Sequence, residues 1–302
     1  MDRRSFAKNI TAALVTAPAI PKILATEEKP EQPAAPPYKL SVMLWTVYRD
    51  LPFEQRLERV AAAGYTNVEL VGEYAKWSDA EFDRAMAARK RLGVTFDCTA
   101  GIKSSLCNPA ERDALLVEIR ATLPIMERLE CPALILLSGN VVPGATQEAQ
   151  AQSCIDGLRA AAQIIEGKKI NGEPLRLLLE NIDPEENPKY FLTSVAKGFE
   201  IVKAVNHPQV QFLYDFFHEQ ISEGNLIEKL EKNIERVGLV HVADVPGRHA
   251  PGTGEINYQN IFRKLAELKY NRIVAMEFLP TGDPVEELRK AKKMALHPEK
   301  AE

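Results

Sequence analysis

The most constraining feature of this chain is a repeat of pattern rather than of letters. From residue 38 onward, short apolar runs alternate with helix-like segments eight times. The runs are KLSVMLWTVY, TNVELVG, VTFDCTAG, ALILLSGN, RLLLEN, VQFLYDFFH, GLVHVAD and RIVAMEF. Most are apolar along most of their length, as strands are when both sheet faces are covered. The segments between them have helical spacing. One is SDAEFDRAMAARKRLG, with Ser78 or Asp79 placed as N-cap and Gly93 as C-cap. Regular alternation of strand and helix builds a parallel sheet. Eight such units over roughly 260 residues have the size and count of a (β/α)8 TIM barrel. An open doubly wound sheet is the competing architecture. The count of eight disfavours it, as does the lack of a Gly-rich phosphate fingerprint after the first run. Residues 38–302 are therefore assigned to one barrel domain.

Four polar residues stand where the last four runs meet polar sequence: Glu180, Asp215, His241 and Glu277. A parallel barrel carries the carboxyl ends of its strands to one mouth, where active sites form. Three carboxylates and one imidazole converging there make a metal site with N/O donors. A strand-end carboxylate taken alone is more often a cap or an ion-pair partner. Four at equivalent places in consecutive units point to a shared task.

The first 37 residues read differently. Arg3 and Arg4 precede Ser5 and Phe6, a mildly apolar stretch follows, and small residues close it near Ala25. This order predicts a twin-arginine export signal, with export to the periplasm by the twin-arginine machinery and cleavage after Ala25. An unused signal would leave the protein cytoplasmic. TEEKPEQPAAPPYK then reads as an extended Pro-rich linker. A net charge of −4 gives no basic footprint for nucleic acid. No apolar run approaches the roughly 18 residues that span a bilayer. The expected partner is a small-molecule substrate, and a homo-oligomer stays open. Cys98, Cys107, Cys131 and Cys154 form no C-x-x-C motif. Export would permit a Cys98–Cys107 disulfide, while a domain of this size has room for free buried thiols.

Longer segments add to the strand-end residues. YDFFHEQISEGNL, VPGRHAPGTGEINY and MEFLP occur in order around Asp215, Arg248 and Glu277. With these the chain resembles the xylose isomerase-like TIM barrels and, within them, the hydroxypyruvate isomerase group. The resemblance covers nearly all of the chain after the linker. It implies metal ligation by Glu180, Asp215, His241 and Glu277, and substrate contacts from His218 and Arg248. One residue departs: that group tends to carry Gln at the position of His241. A Glu, Asp, His, Glu set is more like the ketose 3-epimerase branch.

The reaction expected is isomerisation or epimerisation of a small unphosphorylated sugar or hydroxy-keto acid through an enediolate. A divalent cation stabilises the charge that develops on the substrate oxygens. The oxygen-rich donor set suits Mn²⁺ first, with Mg²⁺ or Co²⁺ as alternatives. Glu180 and Glu277, from strands five and eight, are the expected acid/base pair. Asp215 is expected to be a ligand only. His218 is placed in the loop mouth, hydrogen-bonding a substrate oxygen, and Arg248 is expected to fork a substrate carboxylate. His249 and Glu255 are assigned to organising the loop around Arg248. Trp45 ends the first run and could wall a small substrate, Glu69 follows the second and could contact substrate hydroxyls, and Lys103 lies in the loop after the third; structural roles are expected for all three. His207 and His297 lie at helix ends and are read as non-catalytic. Three alternatives remain: a metal-dependent lyase or dehydratase on an oxidised sugar, a multi-zinc endonuclease, and a non-catalytic periplasmic carbohydrate-binding barrel. With five His in the chain, a multi-zinc cluster has few ligands to draw on.

Overall fold

A computed structural model describes residues 36–298. The predicted signal and most of the linker lie outside the described residues. Eight parallel strands close into a barrel: β1 (Lys39–Met43), β2 (Asn67–Val71), β3 (Thr95–Ala100), β4 (Ala133–Leu137), β5 (Arg176–Glu180), β6 (Val210–Asp215), β7 (Val237–Val242) and β8 (Ile273–Met276). Each pairs with its neighbours in sequence, and β1 closes on β8 with Ser41 opposite Ala275. The predicted (β/α)8 architecture is the observed one.

The intervening helices are α1 (Phe53–Ala62), α2 (Asp79–Leu92), α3 (Arg112–Leu129), α4 (Gln147–Ile165), α5 (Val195–Val205), α6 (Phe216–Ser222), α7 (Leu226–Asn233), α8 (Tyr258–Glu267) and α9 (Pro284–Leu296). Their ends follow local chemistry. Ser78 and Glu81 form a capping box on α2, and Gly93 closes it with a left-handed φ of 65°. The NGEP turn is the tip of a short hairpin pairing Lys169–Ile170 with Glu173–Pro174. Asn171 and Gly172, both at positive φ, make its two-residue turn.

The chain builds two apolar layers. Met43, Cys98, Ile135, Leu178, Leu213 and Leu239 belong to a smaller core cluster drawn from the strands. A larger cluster joins strands and helices. Helix α5 approaches β6 closely because Gly198 has no side chain. A Cβ there would stand 2.1 Å from the ring of Phe212.

Two local readings are corrected. The run VQFLYDFFH is not strand throughout: β6 stops at Asp215, and Phe216–His218 begin α6. Asp215 caps that helix, its Oδ1 accepting from the backbone N–H of Phe217 at 2.7 Å and His218 at 3.3 Å. Glu69 does not follow β2 but lies inside it, fully buried. The four cysteines are all buried free thiols, so the permitted Cys98–Cys107 bridge is not formed.

Candidate metal centre

The strand-end tetrad converges at the carboxyl mouth. Glu180 is the last residue of β5, Asp215 the last of β6, His241 the penultimate residue of β7, and Glu277 follows β8. Each offers one donor atom, and all four atoms lie within 4.8 Å of one another. His241 Nδ1 is 2.7 Å from Glu277 Oε2, 3.4 Å from Glu180 Oε1 and 3.9 Å from Asp215 Oδ2.

The donor atoms fit a cation better than they fit each other. His241 Nδ1, Asp215 Oδ2 and Glu277 Oε2 are buried and make no hydrogen bond of good geometry, although the Arg248 guanidinium ion-pairs with Glu277 Oε2. Buried polar atoms left this way are costly unless something satisfies them. The opposite ring nitrogen of His241 faces Glu69 Oε2 at 2.9 Å. A carboxylate there can hold a hydrogen on Nε2, and Nδ1 faces Glu180, Asp215 and Glu277. The structural role expected of Glu69 is a contact with the ring of His241.

The field at the centre is strongly uneven. Burial lowers the basicity of His241, but Glu277 and Glu69 outweigh it and hold its pKa well above the ordinary imidazole value. Burial raises Glu180, with His241 offsetting part of the shift. Burial would raise Glu277 too, yet Arg248 and then His241 hold it well below the usual carboxylate range. A site that concentrates this much negative potential on one imidazole suits a small, highly charged cation.

Arg248 is buried rather than solvated. Its Nη2 lies 2.8 Å from Glu277 Oε2 and 3.5 Å from Asp215 Oδ2, while Nη1 reaches Glu186 Oε1 at 2.8 Å. The guanidinium also stacks near Phe217, 4.8 Å from its centroid. Its backbone has φ 58°, uncommon for a side chain of this size, as found at functional positions. His218, expected in an open loop, is corrected to the first turn of α6, where it is buried. Its Nε2 is 3.4 Å from Asp215 Oδ2 and its Nδ1 2.6 Å from Asp183 Oδ2. Burial pulls its pKa down, but Asp215 and Asp183 carry it up to about 9.

Several residues near the site were not singled out in advance or were given other roles. Trp45, in a 3₁₀ turn after β1, donates Nε1–H to Glu277 Oε1 at 2.9 Å. Asp183 accepts from the backbone N–H groups of Glu185 and Glu186 while it holds His218. Its position in an Asp-Pro turn was the available signal. Asp244, not singled out in advance, organises the loop that carries Arg248, and the expected His249 and Glu255 join it through backbone hydrogen bonds to Asp244 and Val245. The two Asp244 carboxylate oxygens accept from the N–H groups of Val245, Gly252, Gly254 and Ile256. The His249 ring contacts Leu279 O, and Glu255 accepts from Gln220. Lys103 lies on an exposed loop, its N–H bonded to Glu118.

A closed (β/α)8 barrel with a buried three-carboxylate, one-imidazole cluster at its carboxyl mouth defines the class. The family model for the xylose isomerase-like TIM barrel matches residues 57–295. The chain belongs to that family. It is 31% identical over 248 residues to a 2-oxo-tetronate isomerase of Pectobacterium atrosepticum, covering 81% of this chain and 93% of that one. It is 26% identical to the hydroxypyruvate isomerase of Escherichia coli, covering 80% and 93%. A D-psicose 3-epimerase from Clostridium cellulolyticum H10, solved with D-tagatose, superposes with a TM-score of 0.69 at 20% identity, covering 85% and 96%. At that identity the likeness speaks for the fold alone.

Proposed function

We propose that this protein is a divalent-cation-dependent isomerase or epimerase of a small unphosphorylated sugar or hydroxy-keto acid. The observation that carries the reading is the tetrad itself, four donor atoms within 4.8 Å on consecutive strands, two of them from glutamates. The names of the curated relatives support the same reaction class. Glu180, Asp215, His241 and Glu277 would hold the cation, with Mn²⁺ the first choice for this donor set and Mg²⁺ or Co²⁺ next. Bound there, it would supply Lewis-acid stabilisation of the negative charge that develops on the substrate's oxygens.

The remaining chemistry belongs to the chain. One glutamate takes the proton from the carbon between the hydroxyl and the carbonyl, and an enediolate results. A proton returned to the former carbonyl carbon, with the hydroxyl proton passing from one oxygen to the other, completes an isomerisation. One returned to the opposite face of the carbon that lost it completes an epimerisation. Glu180 and Glu277 stand on β5 and β8, which lets each work from its own side. Positioned bases of this kind contribute ~10²- to 10⁴-fold. Trp45 orients Glu277 by its hydrogen bond. Arg248 and His218 stand beside the tetrad, and their cationic charge suits a substrate carboxylate or an oxyanion.

The test is solvent deuterium exchange into hydroxypyruvate, fructose and psicose, followed for wild type and for Glu180→Gln and Glu277→Gln. Exchange into one compound, lost in both variants, supports the reading and names the substrate class. Cleavage or dehydration products without exchange would replace it with lyase chemistry. The export reading stands on Arg3, Arg4, Ser5 and Phe6. Processing and periplasmic recovery lost in an Arg3→Lys/Arg4→Lys double variant is its expected result.

A further inference from the structure

The opposite mouth of the barrel carries a second polar cavity, of about 510 Å³. Lys39, Asn67, Thr95, Arg176 and Ile273, each the first residue of its strand, line it, so it opens at the amino ends of the strands. Conserving stability is the usual work of that face, but its charges here are not arranged for stability. Arg89 is taken up by Glu130 at 2.6 Å, and Asn171 holds the same carboxylate oxygen. Among the described residues Arg176, Arg272 and Lys39 make no ion pair, although Arg272 Nη1 donates to Val237 O, and Arg176 Nε is buried without an acceptor; Glu173 is a further acid in the lining. Burial lowers the pKa of Arg272 and the neighbouring Arg176 lowers it further, so two like charges share one partly buried space. Asp97 lines the same cavity. It is 7% exposed, and neither carboxyl oxygen has a hydrogen-bond partner.

We propose that this cavity is a binding site for a small oxyanion, held by Arg176 and Arg272 with Lys39 at the rim. Guanidinium groups present forks matched to carboxylate and phosphate oxygens. An anion between Arg176 and Arg272 would remove their mutual repulsion. Burial and then the charge of Glu69 push the Asp97 acid well above its ordinary range, so it opposes an anion less than a free carboxylate would. The inference does not depend on the metal centre, which lies at the other end of the barrel.

Calorimetric titration of the full-length protein with inorganic phosphate and with succinate tests it, against sodium chloride at matched ionic strength. Saturable binding of either anion is expected, weakened by about tenfold or more in Arg176→Met, since charged hydrogen bonds are lost. Arg248→Gln reports any anion held at the other mouth, and Arg120→Gln, exposed on α3, is expected to leave binding unchanged. Tighter phosphate points to a phosphoryl ligand and tighter succinate to a dicarboxylate. Heat no different from chloride would overturn the proposal, as would binding lost in Arg248→Gln but kept in Arg176→Met. Should Arg176→Met misfold by circular dichroism, Arg272→Gln and Lys39→Gln, both at the cavity's edge, carry the same comparison.

Discussion

His241 and Glu69 face each other across the barrel interior, ring Nε2 to carboxylate Oε2 at 2.9 Å, with both side chains buried. The pair joins β7 to β2, and it turns the other ring nitrogen toward Glu180, Asp215 and Glu277. Carboxylates that hold a ligating histidine from behind typically change metal affinity by about 10- to 100-fold when removed. Glu69→Gln keeps an oxygen that can accept from Nε2–H but loses the charge. Its Mn²⁺ affinity, measured by calorimetric titration, is expected to fall within that range while the folded state persists. Equal affinity in the two proteins would remove Glu69 from the site.

Gly198 tests the close contact of α5 with β6. The added methyl of Gly198→Ala meets the Phe212 ring at 2.1 Å, so either the helix or the ring must shift. Overpacking of this kind costs about 1–3 kcal/mol. Urea unfolding should show a lower midpoint with an unchanged slope. A midpoint equal to wild type would mean that the contact relaxes freely.

Asp244 tests the loop that carries Arg248. Its carboxylate accepts from four backbone N–H groups, and Asp244→Asn turns a donor toward two of them. Each N–H left unpaired costs about 1–3 kcal/mol. Faster amide hydrogen exchange over residues 245–256, with the strands unaffected, is the expected signature. Unchanged exchange there would show that the loop holds itself.

How much of this was legible in the sequence depended on the kind of neighbour each residue needs. Glu180, Asp215, His241 and Glu277 could be found because each ends or nearly ends an apolar run, and the barrel brings such ends together. Glu69 was placed after β2 and assigned a structural role. Pairing of β2 with β3 shifts register between Val68 and Glu69, which local pattern does not report. The strand through Phe216 and Phe217 was overextended because apolar residues continue past Asp215, and only the cap geometry marks the change to helix. Asp183 and Asp244 act on backbone N–H groups of their own loops. Their importance lies in loop paths that composition does not encode. Arg248 was named for a substrate contact, but its burial between Glu277, Asp215 and Glu186 required the fold.

The thiols give a prediction with a defined pH sign. Burial is the largest influence on all four, raising Cys107 to about 11 and Cys98, Cys131 and Cys154 further. Folding therefore disfavours the thiolate, and the unfolded chain, with pKa near ~8.5, releases its protons first. The stabilising contribution is complete below about pH 8.5 and is lost as pH rises through the folded values. Ellman's reagent at pH 8 should label no buried cysteine in the native protein and all four in urea. Rapid labelling of the native protein would contradict this burial.

Metal content tests the central claim most directly. Wild type and an Asp215→Asn/His241→Ala variant would be purified without chelator, dialysed against Mn²⁺ and analysed by mass spectrometry of the metal. The account predicts close to one ion per chain in wild type and a small fraction of that in the variant, with both proteins folded by circular dichroism. Equal occupancy in the two, or none in wild type, would contradict it.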